Sequence, residues 1–109
     1  MAVKKLSPIH PGKILQDHFF EPRNLTIKKV AQDINIPAYQ LEDLIKEKAR
    51  IDNDMACRLA YYFQIGAEVF LNIQQIYDWE YWKDKQEERV KKEIRPYHHE
   101  EPKRVRVSK

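Results

Sequence analysis

The chain has 109 residues and a mass of 13.2 kDa, room for one domain and not two. Its 42% hydrophobic and 34% charged residues, with aromatics Trp 2, Tyr 6 and Phe 4, supply an apolar core beneath a solvated skin and exclude wholesale disorder. Net charge is 20 − 17 = +3, and the single cysteine, Cys57, excludes an internal disulfide and a cysteine-rich zinc site.

Alternation of the strand kind is scarce, whereas apolar residues recur at spacings of three and four from Ile14 onward, so the chain reads as all helix. The first helix is expected to open at Pro11, whose ring presets a helical φ, and to close before Pro22. Its inward face is Ile14, Leu15, His18 and Phe19. Thr26 caps a short second helix with Ile27, Val30, Ala31 and Ile34 on one side and Lys28, Lys29, Gln32 and Asp33 on the other. Ile36 is pushed to extended geometry by Pro37, which opens a third helix running to Lys46 with Leu41, Leu44 and Ile45 inward. Asp52 caps a fourth helix carrying Met55, Ala56, Leu59, Ala60 and Phe63, and Gly66 punctuates its end. A fifth carries Val69, Phe70, Ile73, Ile76 and Tyr77 and runs through Trp79 and Trp82 into the charged stretch Lys83 to Glu93.

This divides the chain into an N-terminal arm (1–8), a helical domain (9–80), a C-terminal helical extension (81–95) and a flexible basic tail (96–109). Charge follows the same division: the counts of basic and acidic residues are 9 and 6 over 1–50, 1 and 5 over 51–80, and 10 and 6 over 81–109. Basic flanks suit phosphate contact, and equally a solvated surface.

Helices two and three are separated only by Asn35-Ile36-Pro37, the tight spacing of a helix-turn-helix. Ala31 is small enough to sit where the helices cross, Asn35 tolerates left-handed geometry, and Val30, Ile34, Ile36, Leu41 and Leu44 plug the crossing. Any small bundle contains a helix, a turn and a helix, so pattern alone leaves a plain bundle open beside a DNA-binding pair.

The runs Ile9-His10-Pro11-Gly12-Lys13-Ile14-Leu15, Phe19-Phe20-Glu21-Pro22, Ala56-Cys57-Arg58-Leu59-Ala60-Tyr61-Tyr62-Phe63, Phe70-Leu71-Asn72-Ile73-Gln74 and Val90-Lys91-Lys92-Glu93-Ile94-Arg95-Pro96-Tyr97 stand in one order. Together they resemble the HigA (virulence-associated protein I) family of antitoxins over about residues 7 to 97. The resemblance implies an all-α, lambda-repressor-like five-helix domain that forms a homodimer and binds a palindromic operator in its own promoter. It also implies a partner, a small toxin of the HigB/RelE type that cuts messenger RNA on the ribosome.

Departures from the family pattern bear on mechanism. The family usually carries glutamine or a similar polar residue, which meets a phosphate, at the place of Ile27. It usually opens the third helix with Ser or Thr and keeps that helix's exposed face polar or basic, whereas here the face reads Pro37, Ala38, Tyr39, Gln40, Glu42 and Asp43. Its Asn-Gly turn is replaced by Lys46-Glu47, followed by Lys48 and Arg50.

On that face Gln40 is the expected base reader, since its amide pairs with the N6 and N7 of adenine; Tyr39 and Ala38 reach base edges beside it, and Asp43 accepts from cytosine N4. Thr26 at a helix N-terminus, with Lys28, Lys29, Lys46, Lys48 and Arg50, are the expected phosphate contacts. Tyr77, Trp79, Tyr81 and Trp82 fall on more than one face of a helix, too many for one small core, and mark the expected dimer interface.

Other constellations carry little chemistry. His10 and His18 read as cap and core rather than metal ligands, and His98-His99-Glu100-Glu101 lies in a tail that holds no coordination geometry. Cys57 is expected to be buried as a small apolar residue. Gly12 and Gly66 build no phosphate-cradling loop. No nucleophile, base and acid set stands out, so neither enzyme activity, nor a cofactor, nor a metal is expected. No apolar run approaches the roughly 20 residues of a membrane helix, and Met1 to Pro8 lacks the apolar stretch of a leader, so a cytoplasmic location is expected.

Overall fold

The computed structural model describes residues 7–98; expectations for residues 1–6 and 99–109, including most of the tail, lie outside them. Helix α1 (Pro11–Ile14) opens on Pro11 and is capped by His10, whose Nδ1 accepts the Gly12 N–H at 2.9 Å. It runs directly into a π-helical segment (Leu15–Phe20) and a 3-10 turn (Glu21–Arg23). Bonding to the fifth residue on shifts the inward face, so that Leu15 and Phe20 are both fully buried and His18 is exposed. The expected inward His18 is corrected accordingly. Pro22 does not end the segment either: it sits within the 3-10 turn, whose missing N–H the turn does not need, and the chain leaves at Asn24.

Helices α2 (Ile27–Asp33), α3 (Ala38–Ile45), α4 (Asn53–Phe63) and α5 (Ala67–Glu93) follow. Side-chain caps start two of them: Thr26 Oγ1 accepts the Lys29 N–H at 3.1 Å, and Asp52 accepts the Met55 N–H at 2.8 Å. Helix ends are made without glycine. Asn24, Asn35, Glu47 and Gln64 take left-handed backbone with φ of 54°, 61°, 65° and 58°. After each, an N–H reaches five residues back, from Leu25 to Phe20, Ile36 to Ala31, Lys48 to Asp43 and Ile65 to Ala60, at 2.7–3.0 Å. Gln64 therefore stops α4, and Gly66, expected to do so, is the N-cap of α5 with φ −71°.

The core is Leu15, Phe20, Val30, Leu41, Leu44, Ile51, Leu59 and Phe70, at most 2% exposed, with Ala31 tucked beneath the α2–α3 crossing. Burying each such Leu, Val, Ile or Phe contributes about 1.5–3 kcal/mol. On α4 the inward residues are Met55, Ala56, Leu59 and Ala60. Cys57 points away from them and is exposed, which corrects its expected burial. The buried residues of α5, Phe70 and Gln74, fall in its first eight positions. Further along, the helix is laced by surface pairs between Glu80 and Lys83, Glu88 and Lys91, and Arg89 and Glu93 at 3.4–3.8 Å.

Candidate nucleic-acid interface

The α2–α3 pair has the expected helix-turn-helix build. Asn35 makes the left-handed turn, Ile36 donates to the Ala31 carbonyl at 3.0 Å, and Leu41 and Leu44 anchor α3 in the core. The end of α2 is also held from α4. Arg58 Nη1 donates to the Ile34 carbonyl at 2.8 Å while its Nε holds Asp54 at 2.7 Å, and the Tyr62 hydroxyl donates to Asp33 at 2.7 Å. That carboxylate keeps the Tyr62 proton on, pushing its pKa up to about 12, and the donated hydrogen bond holds Asp33 below the usual carboxylate range. Sequence reasoning missed Arg58 and Tyr62; their spacing of four on one face of α4 was the available signal.

Anchoring through Leu41 and Leu44 turns the other side of α3 outward. Ala38, Tyr39, Gln40, Glu42 and Asp43 are all exposed, Tyr39 by 66%. Pro37, at the N-cap, gives α3 no side-chain cap, so its first N–H groups stay open. Glu42 is paired with Lys46 at 3.1 Å and Asp33 with Lys29 at 3.3 Å, whereas Asp43, Lys28 and Lys48 form no ion pair among the described residues. Thr26 is exposed at the start of α2; its oxygen is engaged as cap but its hydroxyl proton is still available to donate. Ile27 packs half-buried against the core, so the polar group usual in the family at this place is exchanged for apolar packing.

Arg50 differs from the other basic residues. Its guanidinium closes on Asp78 of α5, with Nη1 to Oδ1 at 3.2 Å and Nη2 to Oδ2 at 2.7 Å. Asp78 is held below its ordinary pKa by Arg50 first and by Gln74 next, against a smaller effect of burial than that of Arg50. Gln74 and Asp78 were not foreseen; a polar residue four positions after Phe70, on the inward face of α5, was the clue.

The aromatic group sits on the same helix. Trp79, Tyr81 and Trp82 are 49%, 49% and 40% exposed, Trp79 stacks on Trp82 at 5.8 Å, and Tyr77 stacks on Tyr81 at 5.8 Å. Tyr77 is half-buried and meets the His10 ring edge-on at 4.9 Å, so it is the least available of the four. Among the described residues no group of His, Cys, Asp and Glu could hold a metal ion, and no helix is long and apolar enough to cross a membrane.

No family model matches the chain. It is 31% identical over 74 residues to virulence-associated protein I of Dichelobacter nodosus, an alignment covering 68% of each protein. It is 32% identical over 74 residues to the uncharacterized HTH-type transcriptional regulator YbaQ of Escherichia coli K12, covering 67% of this chain and 66% of that one. Among solved structures, PA4674 of Pseudomonas aeruginosa in complex with its 18-base-pair operator DNA superposes with a TM-score of 0.81 at 30% identity, covering 85% of this chain and all (100%) of that one. Antitoxin HigA of the same organism with the higBA promoter gives 0.78 at 31%, covering 82% and 97%. An addiction module antidote protein of the HigA family from Coxiella burnetii gives 0.79 at 30%, covering 84% and 100%. By sequence and by fold, this chain belongs to the virulence-associated protein I (HigA) family of helix-turn-helix proteins.

Proposed function

We propose that this chain is the antitoxin of a type II toxin-antitoxin system, a homodimeric autorepressor that binds a palindromic operator and neutralises a small partner toxin of the HigB/RelE type. The observation that carries the DNA half is the outward face of α3, where Tyr39 and Gln40 project beside uncapped helix N–H groups and where Lys28 and Lys48, in no ion pair among the described residues, flank the helix pair. Relatives crystallised on operator or promoter DNA support it. Gln40, with Ala38, Tyr39 and Asp43, reads bases; Thr26, Lys28, Lys29, Lys46 and Lys48 hold phosphates. Dimerisation is assigned to the exposed rings of α5, because two α3 helices must be held about 34 Å apart to enter successive major grooves. A DNA partner supports a cytoplasmic location, and relatives named as a transcriptional regulator and an antidote protein support a regulator rather than an enzyme.

A second reading, a toxin-binding protein or orphan regulator with weakened or lost operator binding, is favoured by Ile27 packed against the core and by Asp43 on α3, in no ion pair among the described residues. Fluorescence anisotropy decides between them, using a duplex of the DNA upstream of the chain's own reading frame at several salt concentrations. On the first reading the wild type prefers that duplex to mixed-sequence DNA. Gln40→Ala then relaxes preference at one base pair per half-site by about 1 to 3 kcal/mol with the salt slope unchanged. Lys48→Ala weakens binding to all sequences and makes the slope shallower by about 0.9 per contact. A wild type without preference for the upstream duplex establishes the second reading instead.

A further inference from the structure

Arg50 lies in the loop between α3 and α4, and Asp78 takes one N–H from each of its two terminal guanidinium nitrogens. Asp78 Oδ1 also accepts from Gln74 Nε2 at 3.0 Å, and Gln74 Oε1 accepts the Ile51 N–H at 2.7 Å. Gln74 is 4% exposed, the one polar side chain buried among the described residues. Two successive residues of the loop are thus tied to one turn of α5, Arg50 by its side chain and Ile51 by its backbone. A buried amide with both ends satisfied is rigid, because every alternative leaves a polar group unpaired in a low dielectric.

We propose that Arg50 is a positioning residue rather than a phosphate ligand: with Asp78 and Gln74 it fixes the loop after α3, so that Lys46 and Lys48 stand at a set height against the DNA backbone. The inference rests on the DNA-binding reading above and revises one of its expected phosphate contacts. Asp78 takes two of the five guanidinium N–H groups and neutralises the charge, so a phosphate brought to Arg50 meets a carboxylate beside it. The flanking residues of Asp78 are Tyr77 and Trp79, so the loop is referenced to the turn of α5 that carries the aromatic set. One helix turn then governs both where the lysines sit and how far apart two copies of α3 are held.

The test compares Arg50→Lys, Arg50→Ala, Asp78→Ala and the Arg50→Ala/Asp78→Ala pair by anisotropy with the same upstream duplex. Lysine keeps a charge for phosphate but cannot form the two-toothed contact. Expected is a loss of about two- to five-fold for each, the double variant no weaker than the singles, and an unchanged salt slope. The inference is overturned if Arg50→Lys binds like wild type while Arg50→Ala flattens the slope by about 0.9 per protomer, or if Asp78→Ala binds more tightly. Hydrogen exchange at the Ile51 amide of the free protein needs no DNA. It quickens in Arg50→Ala and in Asp78→Ala if the three residues fix the loop; unchanged exchange refutes that fixing. Should the wild type not recognise the duplex, the proposed function fails, and exchange at Ile51 alone decides whether the three residues act together.

Discussion

Gly12 lies directly against the main chain of Leu44: a Cβ placed there would fall on the Leu44 carbonyl group, 2.9 Å from its carbon, and 3.1 Å from the Ile45 Cα. Helix α1 therefore touches α3 backbone to backbone, and the seating of α3 depends on the absence of one methyl group. Gly12→Ala is expected to destabilise the domain by at least about 2 kcal/mol, because backbone on both sides cannot yield. A melting temperature lowered by ~8 °C or more is the readout. At Gly66 the same substitution meets only the mobile end of Glu68, and Gly66→Ala should leave the melt within a few degrees. Equal effects at the two glycines would remove the α1–α3 contact from the account.

Glu47 holds a left-handed φ of 65° at the end of α3, where the family's own turn carries glycine. A side chain with a Cβ is strained there by roughly 1–2 kcal/mol, partly offset in a glycine variant by the larger entropy of its unfolded chain. Glu47→Gly is expected to raise stability by about 0.5–1 kcal/mol, read as a higher urea midpoint at constant slope. A lower midpoint would show that the Glu47 side chain makes a contribution larger than the strain.

His10 caps α1 through an unprotonated Nδ1. Burial lowers its pKa from 6.5, against a smaller opposing pull from Glu47, so the neutral ring is the native form. With the folded value below the unfolded one, this contribution is complete above about pH 6.5 and is lost as pH falls through the depressed folded value. Thermal melts in mildly acidic buffer should therefore decline for the wild type, and His10→Asn, which keeps a capping acceptor without a titrating group, should flatten the decline. Identical pH profiles for the two proteins would contradict it. Asp33 and Asp78, both held low, lose their contributions only in stronger acid, below the ordinary 3.8.

Glu42 and Asp43 are neighbours with different surroundings, since Lys46 pairs with the first at 3.1 Å. Lys46 meets phosphate only after leaving Glu42, so Glu42→Gln, which removes that competitor and a charge facing the DNA, is expected to tighten binding to every sequence alike. Asp43→Asn should leave the slope alone and relax preference at one base pair. If Asp43→Asn instead tightens binding to every sequence alike, Asp43 is a repelling charge and not a reader.

Trp79 and Trp82, stacked and about half exposed, are expected to carry self-association. Replacing both by alanine should weaken the dimer at least about ten-fold, since buried tryptophans dominate such contacts. Sedimentation equilibrium over a concentration series measures it, and a double variant as dimeric as wild type would move the interface off this patch.

Helix positions were legible because their punctuation is local. Thr26 and Asp52 act on an N–H three residues away, Asn35 turns on its own backbone, and Leu41 and Leu44 share a face by spacing alone. The outward face of α3 followed from that spacing. The π-helical turn did not, because no residue type in Leu15–Phe20 announces bonding to the fifth neighbour, and it exchanged His18 for Phe20 in the core. The pairing of Arg50 was not legible for a different reason. Its partner lies 28 residues away on another helix, and a charge read along the chain looks free until the fold brings its counter-charge to it.

Helix α5 offers its amides two kinds of protection. At Phe70 and Gln74 it is stapled into the core, and exchange of the amides between them requires the whole domain to open. From Trp79 to Glu93 the turns are supported by surface ion pairs and ring stacks, and a helix of about 15 residues is marginal in water by itself. Exchange in the outer turns then follows fraying from Glu93 inward, a rate independent of global stability. Any partner laid along those turns slows it from the covered residue outward, so a protection profile read along this one helix marks, turn by turn, how far the cover extends.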